Sequence, residues 1–321
     1  MKKIAVIGSG GDAPGMNAAV RAVVRTAIAR NVEVWGAWDG YDGVIDLRME
    51  RLTSRSVAGI ISRGGCIIGA GRSPRFIEPD VRQKVVRDMR VAGFDGLVVI
   101  GGEGSLKGAI ELHRLGFPTV TLPGTIDNDM PSTEITIGAD TAINTAVEAI
   151  DRLKDTAAAH RRAMLIEVMG RRCGYIAIMA GLATGAEMIL TPERDVELED
   201  VFTEMRATVG KGKRHFIVVV AEGARWRAAE LTRLINESDN SFDARYTVLG
   251  YIQRGGAPTR FDRILATRMG VAGTEALLDG QSGVLTAWRH NSVVLVPPDK
   301  LTERGDPWED ALYRIHNLTT M

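Results

Sequence analysis

Thr119-Val120-Thr121-Leu122-Pro123-Gly124-Thr125-Ile126-Asp127-Asn128-Asp129 is a β-branched, apolar run that breaks at Pro-Gly and then sets two carboxylates two positions apart. The run reads as a strand, and the carboxylates stand where it ends. In α/β proteins the ends of parallel strands are where active sites are built. Asp127, Asn128 and Asp129 equally suit an Asx-type turn that caps the next element, and spacing alone leaves both readings open.

Short β-branched runs of the same kind recur on either side: Ile4 to Ile7, Val32 to Trp35, Leu97 to Ile100, Met164 to Met169, Met188 to Leu190 and Phe216 to Ala221. Between them, Met16 to Arg30 places Ala19, Val20, Val23, Val24, Ala27 and Ile28 at helical spacing, and Ala139 to Lys154 does so with Ile143, Val147, Ile150 and Leu153. Strands alternating with helices predict an α/β protein built on largely parallel sheets flanked by helices. With 321 residues the chain is expected to form two lobes of similar type. No Pro- or Ser-rich linker separates them, and the best boundary is near Gly138. The stretch from Val296-Pro297-Pro298 to Met321 reads as a loop followed by a short amphipathic helix.

Composition narrows the partners. Lysine plus arginine equals aspartate plus glutamate at 40 each, so no global field draws nucleic acid or a membrane surface. No apolar run approaches the ~20 residues needed to cross a bilayer, and Ile4 to Ile7 is too short for the core of a signal peptide. Cys66 and Cys173 lie in no CxxC or Cys/His pattern, and the five histidines show no metal-ligand spacing. A reducing cytoplasm is the expected location.

Two glycine-rich turns follow predicted strands. Gly8-Ser9-Gly10-Gly11-Asp12-Ala13-Pro14-Gly15 precedes the first helix, where freed backbone amides suit a phosphate. It lacks the Gly-Lys-Ser/Thr of a Walker A loop. Gly101-Gly102-Glu103-Gly104-Ser105 repeats the arrangement and adds an acid suited to magnesium and a hydroxyl suited to phosphate. Either could be no more than a tight strand-to-helix turn. With a phosphate cradle nearby, a carboxylate beside an amide or acidic partner suits phosphoryl transfer to a hydroxyl. Arg72, Arg162, Arg171, Arg245 and Arg254 sit at or near predicted loop and strand ends, and Arg171 and Arg254 adjoin glycines, so a guanidinium there meets a phosphate with little hindrance. Arg21 and Arg25 on one helix face, with Lys211, Lys213, Arg214 and His215, form a second basic group that also reads as a solvated charged face.

These segments together resemble bacterial ATP-dependent 6-phosphofructokinases over nearly the whole chain. Ser9 to Asn17, Gly101 to Ser105, Pro123 to Asp129, Glu167 to Arg171 and Val248 to Gly256 carry the likeness, and Pro-Gly-Thr-Ile-Asp-Asn-Asp with the late Gln-Arg-Gly-Gly is its most specific part. The resemblance implies the glycolytic transfer of a phosphoryl group from ATP, with Mg2+, to the 1-hydroxyl of fructose 6-phosphate. It implies an ATP-binding lobe of residues 1–138 with about 251–303, and a fructose 6-phosphate lobe of 139–250 with about 304–321. Asp127 would be the base, with Thr125, Asp129 and Arg171 organising transfer. Gly11, Tyr41, Arg72, Ser73, Gly102, Glu103, Gly104 and Ser105 would hold ATP, Glu103 also the metal. Thr125, Ile126, Asp127, Met169, Gly170, Arg171, Glu222, Tyr251 and Arg254 would hold the sugar phosphate, with Arg162 and Arg245 reaching over from a neighbouring subunit of a homotetramer. An intersubunit effector site for ADP and phosphoenolpyruvate would fall on Arg21, Arg25, Lys154, Gly185, Glu187, Lys211, Lys213, Arg214 and His215.

The chain departs from that pattern at Glu103, where the family has aspartate, and at Tyr251, where it has histidine. One extra methylene at a magnesium ligand must be absorbed by another rotamer or a shifted metal, and tyrosine cannot carry the positive charge of an imidazolium. Ser73 and Ile77 replace aromatic and cationic groups common beside the nucleotide, and Ser54 and Lys154 stand where arginine is common. These changes also fit a catalytically weak, regulatory paralogue, or a kinase for another sugar phosphate such as tagatose 6-phosphate. Pyrophosphate-using members carry a bulkier acid in place of Gly104 and a lysine in place of Gly124, so the two glycines point to ATP.

Overall fold

Lys3–Ser9 is buried at every position but its first, and Gly96–Gly101, Thr119–Pro123 and Phe216–Ala221 are buried throughout. Strands with no polar face must be covered on both sides, which places them inside parallel sheets whose crossover helices supply the cover. A computed structural model describes residues 1–238, 241–302 and 308–320. Its strands are β1 Lys3–Ser9, β2 Glu33–Ala37, β3 Met49–Leu52, β4 Ala70–Gly71, β5 Gly96–Gly101, β6 Thr119–Pro123, β7 Arg162–Val168, β8 Met188–Leu190, β9 Phe216–Ala221, β10 Asp243–Val248, β11 Val284–Arg289 and β12 Ser292–Val296. The helices are α1 Met16–Ala29, α2 Tyr41–Ile45, α3 Pro79–Val91, α4 Glu103–Arg114, α5 Ala139–His160, α6 Tyr175–Thr184, α7 Leu198–Gly210, α8 Ala228–Ser238, α9 Arg260–Leu278 and α10 Trp308–Thr320.

The chain divides into two compact units, Met1–Thr141 with Arg254–Arg304 and Ala142–Gln253 with Gly305–Met321. The first holds an eight-stranded sheet of order β12-β11-β6-β5-β1-β2-β3, with β4 pairing off this path to β1. It is parallel except where β3 pairs antiparallel with β2 and β12 with β11. One of its cores gathers Ile7, Val99, Met89, Phe94, Leu112 and Phe117. On α9, Gly270 leaves room for α1, since a Cβ there would sit 2.6 Å from that of Ala22. The second unit holds the parallel sheet β10-β7-β9-β8 and its own core of Leu165, Phe202, Met205, Phe216, Val218 and Leu231.

All seven strands expected from apolar runs are present; of the additional ones β3, β10 and β12 are sheet edges, β11 lies beside β12, and two-residue β4 pairs with β1. β3 (Met-Glu-Arg-Leu) and β10 (Asp-Ala-Arg-Tyr-Thr-Val) are largely exposed and carry no continuous apolar run. β11 and β12 form a hairpin across His290 and Asn291, both left-handed (φ 48° and 62°). That geometry is usually announced by Asn-Gly or Asp-Gly, and His-Asn is a weak signal for it. The expected tail helix is α10; residues 303–307 and 321 lie outside the described residues. No helix among the described residues is long and apolar enough to cross a membrane.

Candidate active site

Strand register alone assembles the three loops of the first unit. Ser9 of β1 pairs with Gly101 of β5, and Gly101 pairs with Pro123 of β6. Neighbouring strands lie about 4.8 Å apart, so both glycine-rich turns and the Asp127 segment begin within about 10 Å of one another. β1 pairs with β2 on one side and β5 on the other, and such a reversal of winding opens a crevice at the carboxyl ends of the strands.

The turns are glycine-rich because the backbones meet there. A Cβ on Gly101 would overlap Ser9 O and lie 2.5 Å from Ser105 Oγ, and Ser105 Oγ donates to Ser9 Oγ at 2.8 Å in a buried pair. Tyr41 is buried and donates its hydroxyl to Ser105 O at 2.8 Å, with its ring stacked 3.8 Å from that of Phe76. Burial holds that phenol well above its usual pKa, so it stays a donor. Glu103 opens the first turn of α4 with its side chain half exposed, paired to Lys107 Nζ at 2.6 Å. A Cβ on Gly104 meets nothing within 4 Å. Arg72 is exposed, while the Ser73 hydroxyl is occupied locally, donating to Asp42 Oδ1 at 2.7 Å and accepting from Phe76 N.

The Asp127 loop divides its two possible roles by position. Asn128, buried and left-handed (φ 51°), makes the turn: its Oδ1 accepts from Thr136 N at 2.9 Å, and its Nδ2 donates to Glu134 O at 3.2 Å. Thr125 Oγ1 accepts from Asp127 N at 3.2 Å, and Thr136 Oγ1 donates to Thr125 O at 2.7 Å. Asp127 is buried and Asp129 half-buried, leaving carboxylates on either side of the residue that shapes the chain.

The loop is closed by Thr125 N to Ile137 O at 3.1 Å and Ile137 N to Pro123 O at 2.9 Å. Its far end is gripped by Asp262, fully buried on α9, which accepts from Gly138 N (2.9 Å), Thr141 N (2.9 Å) and Thr141 Oγ1 (2.5 Å). Burial pushes the Asp262 carboxyl up to about 6, against the three hydrogen bonds that favour its ionised form. Arg254 lies against the first glycine-rich turn, donating from Nη1 to Asp12 O at 3.2 Å.

In the second unit, β7 and β9 end together at the Val168–Ala221 pair. Met169, Gly170 (φ 140°) and Arg171 (φ 53°) follow β7, and Glu222 follows β9. Glu222 Oε1 accepts from Arg171 N at 2.7 Å and Gly170 N at 3.2 Å, so this carboxylate shapes the loop that presents Arg171. Arg162 lies at the opposite end of the sheet, while Arg245 sits mid-strand on β10, in register with Met164. Arg162 opens β7, and both arginines pair with Asp243 at 3.2 and 2.6 Å. Six residues of strand separate Arg162 from Val168, about 20 Å, so one chain does not bring Arg162 to the Met169–Arg171 loop. Tyr251 is 83% exposed.

Of the nine residues expected at the effector site, the second unit gathers five: Lys154, Gly185, Glu187, Lys213 and His215. Buried Glu187 accepts from Lys213 Nζ (3.1 Å) and Ile217 N (2.8 Å), with His215 Nε2 at 3.8 Å. Lys154 Nζ donates to Thr184 O at 2.6 Å, beside the left-handed Gly185 that ends α6. Lys211 stands off at 3.9 Å from Glu204, and Arg214 is exposed. Arg21 and Arg25 belong to the first unit, on α1.

Sequence reading did not assign roles to Ser9, Phe76, Asp262 or Asn17, whose amide donates to Arg63 O and Gly64 O and accepts from Ile67 N. The Thr259-x-x-Asp262 spacing at the start of α9, where Thr259 Oγ1 accepts from Asp262 N, was a readable signal for the one; the others act through partners distant in sequence. No group of three or more His, Cys, Asp and Glu among the described residues is placed to hold a metal.

The phosphofructokinase family profile matches residues 3–277. ATP-dependent 6-phosphofructokinases of Bacillus cytotoxicus and Bacillus thuringiensis are 49% and 50% identical to the chain over 294 residues, covering 92% of it and 92% of each relative. Among solved structures, Pichia pastoris phosphofructokinase superposes with a TM-score of 0.89 at 36% identity, covering 99% of this chain, which spans 37% of that one. A pyrophosphate-dependent phosphofructokinase of Marinobacter aquaeolei shares the fold, with a TM-score of 0.80 at 22% identity over 98% of this chain and 91% of its own. With a profile match over most of its length and half of its residues shared with these enzymes, the chain belongs to the phosphofructokinase family.

Proposed function

We propose that the chain transfers the γ-phosphoryl group of ATP to the 1-hydroxyl of fructose 6-phosphate, giving fructose 1,6-bisphosphate and ADP, the committing phosphorylation of glycolysis. The observation that carries this reading is the register of β1, β5 and β6, which brings the two glycine-rich turns together with the loop of buried Asp127, in a chain 49% identical to an ATP-dependent 6-phosphofructokinase over 294 residues. Asp127 takes the hydroxyl proton, and its backbone is held by Thr125. Gly11 and the Gly102–Ser105 turn hold the phosphates, Tyr41 supports that turn from behind, and Arg72 lies exposed to meet charge. Arg171, Met169, Gly170, Glu222, Tyr251 and Arg254 serve the sugar phosphate. Transfer proceeds by positioning and charge neutralisation, with no covalent intermediate.

Glu103 is suited to magnesium, an ion that takes one or two protein carboxylates and completes its shell with phosphate oxygens and water. Glu103 would hold magnesium there, and the ion would supply charge neutralisation for the phosphates being parted. ATP as donor is supported by the glycines: Gly104 borders open space, and at Gly124 any side chain would press on its neighbours, a Cβ there falling 3.0 Å from Ile100 Cγ2 and 3.2 Å from Met16 Cε.

A homotetramer is supported by Arg162, which lies at the wrong end of its sheet to serve its own chain, and by β10, an edge strand exposing Tyr246 and Val248. The Glu187, Lys213, His215, Lys154 and Gly185 cluster, with Arg21, Arg25, Lys211 and Arg214, suits anionic effectors such as ADP and phosphoenolpyruvate. A cytoplasmic location is supported by two cysteines that form no disulfide.

The test is fructose 1,6-bisphosphate formation by the purified chain with magnesium, fructose 6-phosphate and either ATP or pyrophosphate. Turnover with ATP and not pyrophosphate is expected; pyrophosphate-only turnover, or none, refutes the reading. Asp127→Ser should lower kcat about 100- to 10,000-fold while both substrates still bind, and near-native turnover would place the base elsewhere.

A further inference from the structure

Gly11 carries the signature of a phosphate loop, yet the space a side chain there would take is filled from inside the protein. A Cβ on Gly11 would overlap Nη1 of Arg254 and lie 2.9 Å from its Cζ and 3.3 Å from its Nη2, so its three nearest neighbours all belong to one guanidinium. The same Nη1 donates to the carbonyl of the next residue, Asp12. The Arg254 backbone is held by a second close approach, since a Cβ on Gly64 would overlap the carbonyl oxygen of Gly256. Gly64 is fixed in turn by Asn17 of α1, whose Nδ2 donates to Arg63 O and Gly64 O. Arg254 Nε is buried with no hydrogen-bond partner among the described residues, so the guanidinium retains donor capacity beyond its contact with the turn.

We propose that Arg254 is a positioning residue of the phosphoryl-donor turn: with its guanidinium against Gly11 and its Nη1 on Asp12 O, it fixes the Gly10–Asp12 backbone for a nucleotide's phosphates before any sugar phosphate arrives. Gly11 is therefore glycine to admit the arginine, whose guanidinium fills the space a side chain there would take. This rests on the function proposed above and goes beyond it, because there Arg254 serves the acceptor. A single side chain shared by donor turn and acceptor phosphate couples the two substrates, and each changes the other's affinity by the same factor.

The experiment is calorimetric binding of MgATP to the full chain, with no sugar phosphate present, for the native protein, Gly11→Ala, Arg254→Ala and the double variant, with melting midpoints recorded to follow folding separately. Gly11→Ala should weaken MgATP binding roughly tenfold or more in the native background by displacing the guanidinium, and less than about twofold when residue 254 is alanine, a non-additivity expected of residues in contact. Equal factors in both backgrounds overturn the inference. Should Gly11→Ala fail to fold, Arg254→Ala alone decides: a severalfold loss of MgATP affinity without sugar phosphate supports the role, and native affinity overturns it. A native chain that binds no MgATP overturns the donor reading and this inference with it, whereas MgATP binding with additive effects overturns this inference alone.

Discussion

Asp262→Asn should change the stability of the chain by an amount that depends on pH, with a sign set by burial. The Asp262 carboxyl is fully buried on α9 and is pushed from 3.8 up to about 6, chiefly by loss of water and secondarily by the charge of Asp140, against hydrogen bonds from Thr141 and Gly138 that pull the other way. Because the folded chain holds this proton more tightly than the unfolded one, the contribution of Asp262 to stability is full below pH 3.8 and is lost as pH rises through about 6. The loss is about 2.2 pH units at about 1.36 kcal/mol each, or about 3 kcal/mol. Asparagine has no proton to exchange. It also turns an amide N–H2 towards Gly138 N or Thr141 N, a cost of about 1–3 kcal/mol that does not vary with pH. The variant should therefore be clearly less stable than the native chain near pH 4 and close to it, or above it, by pH 7.5. Urea denaturation followed by tryptophan fluorescence across this range gives the difference at each pH, with titration of all other groups cancelling. A difference that stays constant, or that widens as pH rises, would refute the argument that burial outweighs the three hydrogen bonds.

Gly124→Ala should lower the melting midpoint through overpacking worth about 1–3 kcal/mol, since its Cβ would press on Ile100 Cγ2 at 3.0 Å and Met16 Cε at 3.2 Å; an unchanged midpoint in scanning calorimetry would mean that strand ends β5 and β6 yield freely. Glu103→Ala should raise the magnesium concentration for half-maximal turnover by about tenfold or more, as losing a direct ligand should cost at least what losing its supporting partner does. A magnesium titration of initial rates checks this, and an unshifted midpoint would leave Glu103 as no more than the partner of Lys107.

How much of the site is legible in the sequence differs from residue to residue. Asp127 is picked out by a strand ending in Pro-Gly and a pair of carboxylates, but the same three letters, Asp-Asn-Asp, do not say which residue makes the turn. That needed Thr136 and Glu134, which meet Asn128 only once the loop folds back. Glu222 reads from the sequence only as a sugar-binding acid, and only the fold shows its Oε1 also holding the amides of Gly170 and Arg171, some fifty positions earlier. Edge strands β3 and β10 are faint because their exposed side chains bury nothing that a period of two would reveal.

By itself the sequence determined the buried strands, the helices between them and the three loops that carry chemistry, because continuous β-branched runs, helical spacing and glycine clusters are local properties that each segment expresses alone. Only the tertiary structure decided which loops stand together and which side chains are committed to holding them. The pairing of Gly101 with Ser9 and Pro123, the grip of Asp262 on the start of α5, the place of Arg254 against Gly11, and the separation of Arg162 from Arg171 by the length of a strand all depend on sheet order and register. Those are set by how whole elements bury their apolar faces against one another, and residues far apart in the chain have no local signal of the neighbour they will meet.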